Sequence, residues 1–139
     1  MALELVIVTP RGEAYRGPVE SVVLPGAEGE FGVLESHERF LSPLSAGAIE
    51  IRSGSDTLFA AVGSGFAEVR ADAVAVLVDS CELGHEIDAA LARQAEERAR
   101  QELAQVVGES EAERVIEFEA ALSHARARVA VAEKSAPRG

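Results

Sequence analysis

Three histidines, one cysteine and twenty-four carboxylates are the residues here with the means to catalyse or to bind a metal. His37, His85 and His124 are far apart in the chain and fall in different predicted elements. A catalytic zinc helix needs two histidines four residues apart, and His85-Glu86 has no second histidine at that spacing. Cys81 stands alone, so it can close no internal disulfide and build no thiolate cluster. It reads as a small, half-buried residue near a strand end. A phosphate loop ends in Lys-Ser or Lys-Thr at a helix start. Gly26-Ala27-Glu28-Gly29-Glu30-Phe31-Gly32 has the glycines but no lysine, and its two carboxylates repel phosphate. Val62-Gly63-Ser64-Gly65-Phe66 lies between strand-like runs and reads as a turn or bulge. No Gly-x-Ser-x-Gly elbow occurs. The residues alone favour a binding or structural protein over an enzyme.

The elements that would position these residues change character along the chain. Up to about residue 80 the pattern is that of strands. Leu3, Leu5 and Ile7 alternate, and residues two apart share a sheet face. Val19 to Leu24 is a β-branched run stopped by Pro25-Gly26, and Ala48 to Arg52 alternates before the turn Ser53-Gly54-Ser55-Asp56. Thr57 to Val62, Gly65 to Arg70 and Ala73 to Val78 complete the series. Short strands with turn signals every 8–12 residues or so predict an antiparallel sandwich or barrel. Nothing between them has the length of a crossover helix, which argues against parallel pairing.

Near Gly84 the period shifts. From Asp88 to Pro137 there is no proline, and Ala, Glu, Arg and Gln dominate. Asp88 is placed to cap a helix whose apolar residues Ile87, Leu91, Ala95, Ala99 and Leu103 recur every four positions. Val106-Val107-Gly108 predicts its end. Ser110-Glu111-Ala112-Glu113 reads as a capping box opening a second helix, with a stripe at Val115, Phe118, Leu122, Ala125, Val129 and Ala132. So short a break predicts an antiparallel αα-hairpin. Two small domains follow: residues 1–84 a β-sandwich, residues 85–134 a helical hairpin held to it modestly, with 135–139 frayed.

Composition narrows the partners. The formal net charge is -11, which disfavours nucleic acid. Residues 1–84 carry five arginines against thirteen acids, whereas 124–139 carry Arg126, Arg128, Lys134 and Arg138 against Glu133. Such a basic end is either a docking surface for an acidic partner or a helix C-terminus complementing its own dipole. The N-terminus shows no basic segment followed by an apolar run, and no apolar run approaches the roughly 20 residues that span a bilayer. A soluble, cytoplasmic chain is expected.

From the first strand to Lys134 the chain resembles the epsilon subunit family of bacterial F-type ATP synthases. Gly29-Glu30-Phe31-Gly32-Val33-Leu34 followed by His37 carries the resemblance most specifically. Glu35-Ser36 stand where the family usually has Pro-Gly. Gly65-Phe66-Ala67-Glu68-Val69, the strand Ala73 to Asp79 and the helix opening Ile87-Asp88 add order and spacing. The resemblance implies a ten-stranded sandwich plus hairpin, and a non-catalytic central-stalk subunit of the proton-driven synthase. Its sandwich would bind the gamma subunit and rest on the c-ring, at the cytoplasmic face of the inner membrane. Glu30 and His37 match the family's rotor-interface positions. The hairpin would inhibit ATP hydrolysis when extended among the alpha and beta subunits, with Arg126, Arg128 and Lys134 meeting acidic groups of beta.

Some members of that family bind regulatory ATP in the folded hairpin. Here Ile87, Asp88 and Ala92 match the motif, and Arg98 and Arg128 meet two of its later arginines. Leu91 and His124 replace the other two. Two phosphate-binding cations are lost, so the motif is expected to be vestigial and no cofactor is expected. Two other readings stand beside this one: a free-standing β-sandwich adaptor with a helical tail, and a small hydrolase built on scattered acids and His37.

Overall fold

The structure is a computed structural model, and it describes residues 3–34, 39–107 and 112–135. Ten strands come first: β1 (Leu3–Thr9), β2 (Gly12–Val19), β3 (Ser21–Gly26), β4 (Gly29–Leu34), β5 (Phe40–Leu44), β6 (Gly47–Ser53), β7 (Asp56–Val62), β8 (Gly65–Val69), β9 (Ala73–Val78) and β10 (Cys81–Leu83). A 3-10 turn at Gly84–Glu86 leads into α1 (Ala89–Val107) and α2 (Ala112–Lys134). The strands pair in the order β10-β7-β6-β3-β5-β8-β9-β1-β2, with β4 on the other side of β3. β3 and β5 share the single pair Gly26↔Leu44. The sheet folds over at that point, giving two packed halves, β4/β3/β6/β7/β10 and β5/β8/β9/β1/β2.

Alternation decides what lies between the halves. Leu3, Leu5 and Ile7 of β1, Val22 and Leu24 of β3, Ile49 and Ile51 of β6, and Val74 and Val76 of β9 are all fully buried in one core. Burying an aliphatic side chain of this size contributes about 1.5–3 kcal/mol, so the core holds without a tryptophan. The β6–β7 turn is tight: Ser53 pairs with Asp56, leaving Gly54-Ser55 as the loop, and Gly54 takes a φ of 61° that favours glycine. Gly65 answers a different need. A Cβ there would collide with the carbonyl oxygen of Leu77 on the neighbouring strand.

Two expectations are corrected. Every ladder among the described residues is antiparallel except β1·β9, which runs parallel from Glu4↔Ala73 to Val8↔Leu77. No crossover helix is required, because most of the sandwich separates β1 from β9 in the chain and serves as the connection. The α1 stripe is corrected at one position. Leu91 is 59% exposed, while Ala92, Ala99 and Val106 are buried and Ala95 and Leu103 half-buried. The inward positions thus fall at steps of three and four, the spacing of two helices packing along their length. The four-residue step through Ile87 and Leu91 drifts off that face.

The hairpin lies against the outside of the β6/β7 half. Ala61 of β7 points outward yet is fully buried, because Ala127, Val131 and Ala132 of α2 cover it together with Ile87 and Ala92. Farther along, Ala99 of α1 meets Leu122 and Ala125 of α2. α2 therefore buries two faces, one on the sheet and one on α1. The expected end of α1 at Gly108 and the capping residue Ser110 lie outside the described residues.

Candidate functional site: an open sheet face and a basic helix

Covering one outer face of the sandwich leaves the opposite one bare. On the β5/β8/β9/β1 half the outward residues fall into two rows set by the register. The first row runs Pro43↔Phe66↔Leu77↔Val8, and the second runs Leu41↔Glu68↔Ala75↔Val6. Seven of these eight are apolar. Leu41, Phe66 and Leu77 are 67%, 54% and 53% exposed. Large hydrophobics gathered this way on a soluble surface mark a contact site. Sequence reasoning did not single out this face. Its signal was present: the strands from Gly65 and Ala73 carry apolar residues on both phases of the alternation, as a sheet buried on both sides requires.

The acidic turn stands beside this face. β3 and β4 form a hairpin in which Pro25 pairs with Glu30 and Gly26 with Gly29. Gly29 has a φ of 135°, a conformation open to glycine, and Glu30 next to it is exposed. The turn is tied to β5 by Ala27 N–H donating to the Pro43 carbonyl at 3.0 Å and Ser45 N–H to Pro25 at 2.9 Å. Edge-to-face stacking of Phe31 on Phe40, at 5.5 Å, fixes it further. The turn that carries Glu30 thereby sits against β5, where Glu28 and Gly29 border a shallow cleft with Leu41 and Pro43. His37 lies outside the described residues.

The basic residues of α2 part company. Arg128 reaches back to β10, where its Nε donates to Glu82 Oε1 at 2.7 Å and its Nη2 to Oε2 at 3.3 Å. Lys134 sets its ammonium 5.2 Å from the ring centroid of Phe59 on β7. Arg126 is exposed and has no ion-pair partner among the described residues. Arg93 of α1 and Glu133 of α2 pair at 3.4 Å, joining the two helices to each other.

All but one of the residues matching the ATP motif have other occupations. Asp88 caps α1, its Oδ1 accepting from Leu91 N–H at 3.1 Å. Ile87 is buried under α2. Arg98 is exposed and unpaired among the described residues, and Arg128 is held by Glu82. His124 faces a cleft of about 740 Å³ between α2 and the ends of β5, β7 and β9, bordered by Ser45, Gly63, Asp79 and Ser80. Its Nε2 is buried without a hydrogen bond. Among the described residues no group of three or more histidines, cysteines or acids could hold a metal, and no helix is long and apolar enough to cross a membrane. Burial, with the carboxylates of Glu86 and Glu82 adding to it, pushes the Cys81 thiol up to about 11, the opposite of what a nucleophile requires.

Residues 2–84 match the family model described as the beta-sandwich domain of the ATP synthase Delta/Epsilon chain. The ATP synthase epsilon chain of Syntrophobacter fumaroxidans is 42% identical over 133 residues, covering 96% of this chain and 97% of that one. The corresponding protein of Synechococcus sp. (strain WH7803) is 36% identical over 132 residues, covering 95% and 97%. In shape the chain is similar to one in the mitochondrial ATP synthase of Euglena gracilis, with a TM-score of 0.78 at 24% identity over 93% of this chain and 80% of that one. With a family model spanning the strands and relatives matched along nearly their whole length, this chain belongs to the ATP synthase epsilon-chain family.

Proposed function

We propose that this chain is a non-catalytic rotor subunit of a bacterial F-type ATP synthase, sited peripherally at the cytoplasmic face of the membrane. Its open sheet face would take the gamma subunit, and the Glu30 turn, with His37, would meet the loops of the c-ring. The alpha and beta subunits would be the partners of the hairpin when it swings away from the sandwich. There Arg126, Arg128 and Lys134 would engage acidic groups of beta and hold back ATP hydrolysis. The observation that carries the reading is the pair of apolar rows across β5, β8, β9 and β1. They support a lasting protein partner on the side away from the hairpin. Names of relatives matched end to end agree with it.

The test is reconstitution of the catalytic complex with and without the chain. Binding through gamma and slower ATP hydrolysis are expected. Failure to associate with gamma would leave the free-standing adaptor as the better reading, and turnover by the isolated chain would point to a hydrolase.

A further inference from the structure

Among the described residues the hairpin is held to the strands by an apolar contact made mostly of small residues, by Lys134 over the Phe59 ring and by one fork of hydrogen bonds. Ala61, Ala127, Val131 and Ala132 present little surface each. Among the described residues, the ion pair between Arg128 and Glu82 is the one that joins helix to strand. Its geometry is favourable. Nε and Nη2 each donate to a different carboxylate oxygen, and the side chains are only 25% and 35% exposed. Charge-assisted forks of this kind are stronger than exposed ion pairs. Glu82 also sits directly beside the contact, since it pairs with Ala61 across β10 and β7.

We propose that Glu82 acts as an internal stand-in for an acidic partner of the hairpin, so that sandwich and partner compete for the single guanidinium of Arg128. This rests on the reading above in which the basic end of α2 meets acidic groups. Arg128 cannot serve both acids at once, because its Nε–Nη2 edge is held by Glu82 while α2 lies on the sandwich, and a helix lying there is not extended to a partner. The bond to Glu82 therefore sets how much of the hairpin is free, and the same residue helps decide what the free hairpin does. Arg126, two residues away and thus turned roughly 200° around the helix, faces solvent and takes no part in the docked state. The arrangement is reciprocal: whatever strengthens one contact of Arg128 depletes the other.

Two substitutions separate the roles. Hydrogen exchange of the α2 amides in the isolated full-length chain reads docking, and ATP hydrolysis by the reconstituted complex reads inhibition. Glu82→Gln should raise exchange on the order of tenfold and deepen inhibition, because it frees Arg128 intact. Arg128→Gln should raise exchange by a similar factor but relieve inhibition. The exchanged pair, Glu82→Arg with Arg128→Glu, should restore protection of α2 and leave inhibition weak. Higher salt should loosen the wild-type chain more than Glu82→Gln. Unchanged exchange in Glu82→Gln, with its strands folded by circular dichroism, overturns the proposal whatever happens to hydrolysis. Faster exchange in both single variants, with a wild-type chain that never slows hydrolysis, overturns the reading of the hairpin as an inhibitor and with it the competition.

Discussion

Cys81 shows how a reactive residue type is silenced by where it stands. The thiol is half-buried beside Glu82 and Glu86, and its affinity for the proton rises to about 11 in the folded chain from an ordinary value of 9.0. Between those values the unfolded state loses its proton first. This residue therefore lowers stability as pH rises from 9.0 towards about 11 and has little effect below that window. Alkylation by iodoacetamide at pH 8 should be roughly a hundredfold slower in the native protein than in urea. Equal rates would show an exposed, ordinary thiol. The ATP-motif residues were legible in part. Asp88 as a cap could be read from its place before an apolar run, but the fate of Arg128 could not. Its partner Glu82 lies 46 residues earlier, on a strand of three residues. That partner strengthens the expectation for nucleotide. Leu91 and His124 already remove two charge-assisted bonds of about 1.5–3 kcal/mol each, and Arg128 must also leave Glu82. Isothermal titration with ATP should give no better than millimolar binding, and Leu91→Arg with His124→Arg should tighten it at least tenfold. Micromolar affinity in the wild-type chain would contradict this.

At the scale of elements, the strands found directly from residue patterns are those with clean alternation, such as β1, β6 and β9. β2, β4 and β5 were hidden by their own composition. β2 contains Gly17 and Pro18, β4 contains two glycines and β5 contains Pro43. Glycine and proline signal turns, yet a strand at a margin tolerates them because one side needs no full ladder. β2 ends the sheet order, and β4 pairs with β3 alone. The helices were read correctly in kind, and the α1 stripe failed at Leu91 alone, since a strict step of four cannot be told from the alternating three and four of two packed helices over so short a stretch. The open face was missed because its two rows exist only once four strands are placed side by side. It makes a sharp prediction. Phe66→Glu with Leu77→Asp puts two charges at the middle of the first row, where both side chains are more than half exposed. Folding should change by about 0.5 kcal/mol or little more. Affinity for gamma should fall by two orders of magnitude or more, as expected when central anchors of an interface are lost. Titration of the purified gamma subunit with each chain measures this, and undiminished binding would mean that gamma docks elsewhere.

In the whole molecule the sandwich works as a plate with two different sides. The β6/β7 side is shaped for the hairpin, with small outward residues such as Ala61 and Ala48 that let a helix approach closely. The β5/β8/β9/β1 side keeps larger apolar residues exposed. A partner on the open side need not displace the helices, and helices that leave need not disturb the partner. The chain's core lies between the two halves and does not include α1 or α2. Removing the hairpin should therefore leave a folded plate. Its newly bared surface would include Phe59, Ala61 and Ala48, at about 25 cal/mol for each Å² no longer covered, a small loss beside the burial of seventeen core side chains. A fragment of residues 1–86 should accordingly melt cooperatively, bind gamma with the affinity of the full chain and fail to slow ATP hydrolysis. Circular dichroism, titration with gamma and the hydrolysis rate of the reconstituted complex test the three clauses separately. An unfolded fragment would make the helices part of one cooperative unit with the strands. A folded fragment that binds gamma and still inhibits would move the regulatory function from the hairpin to the plate.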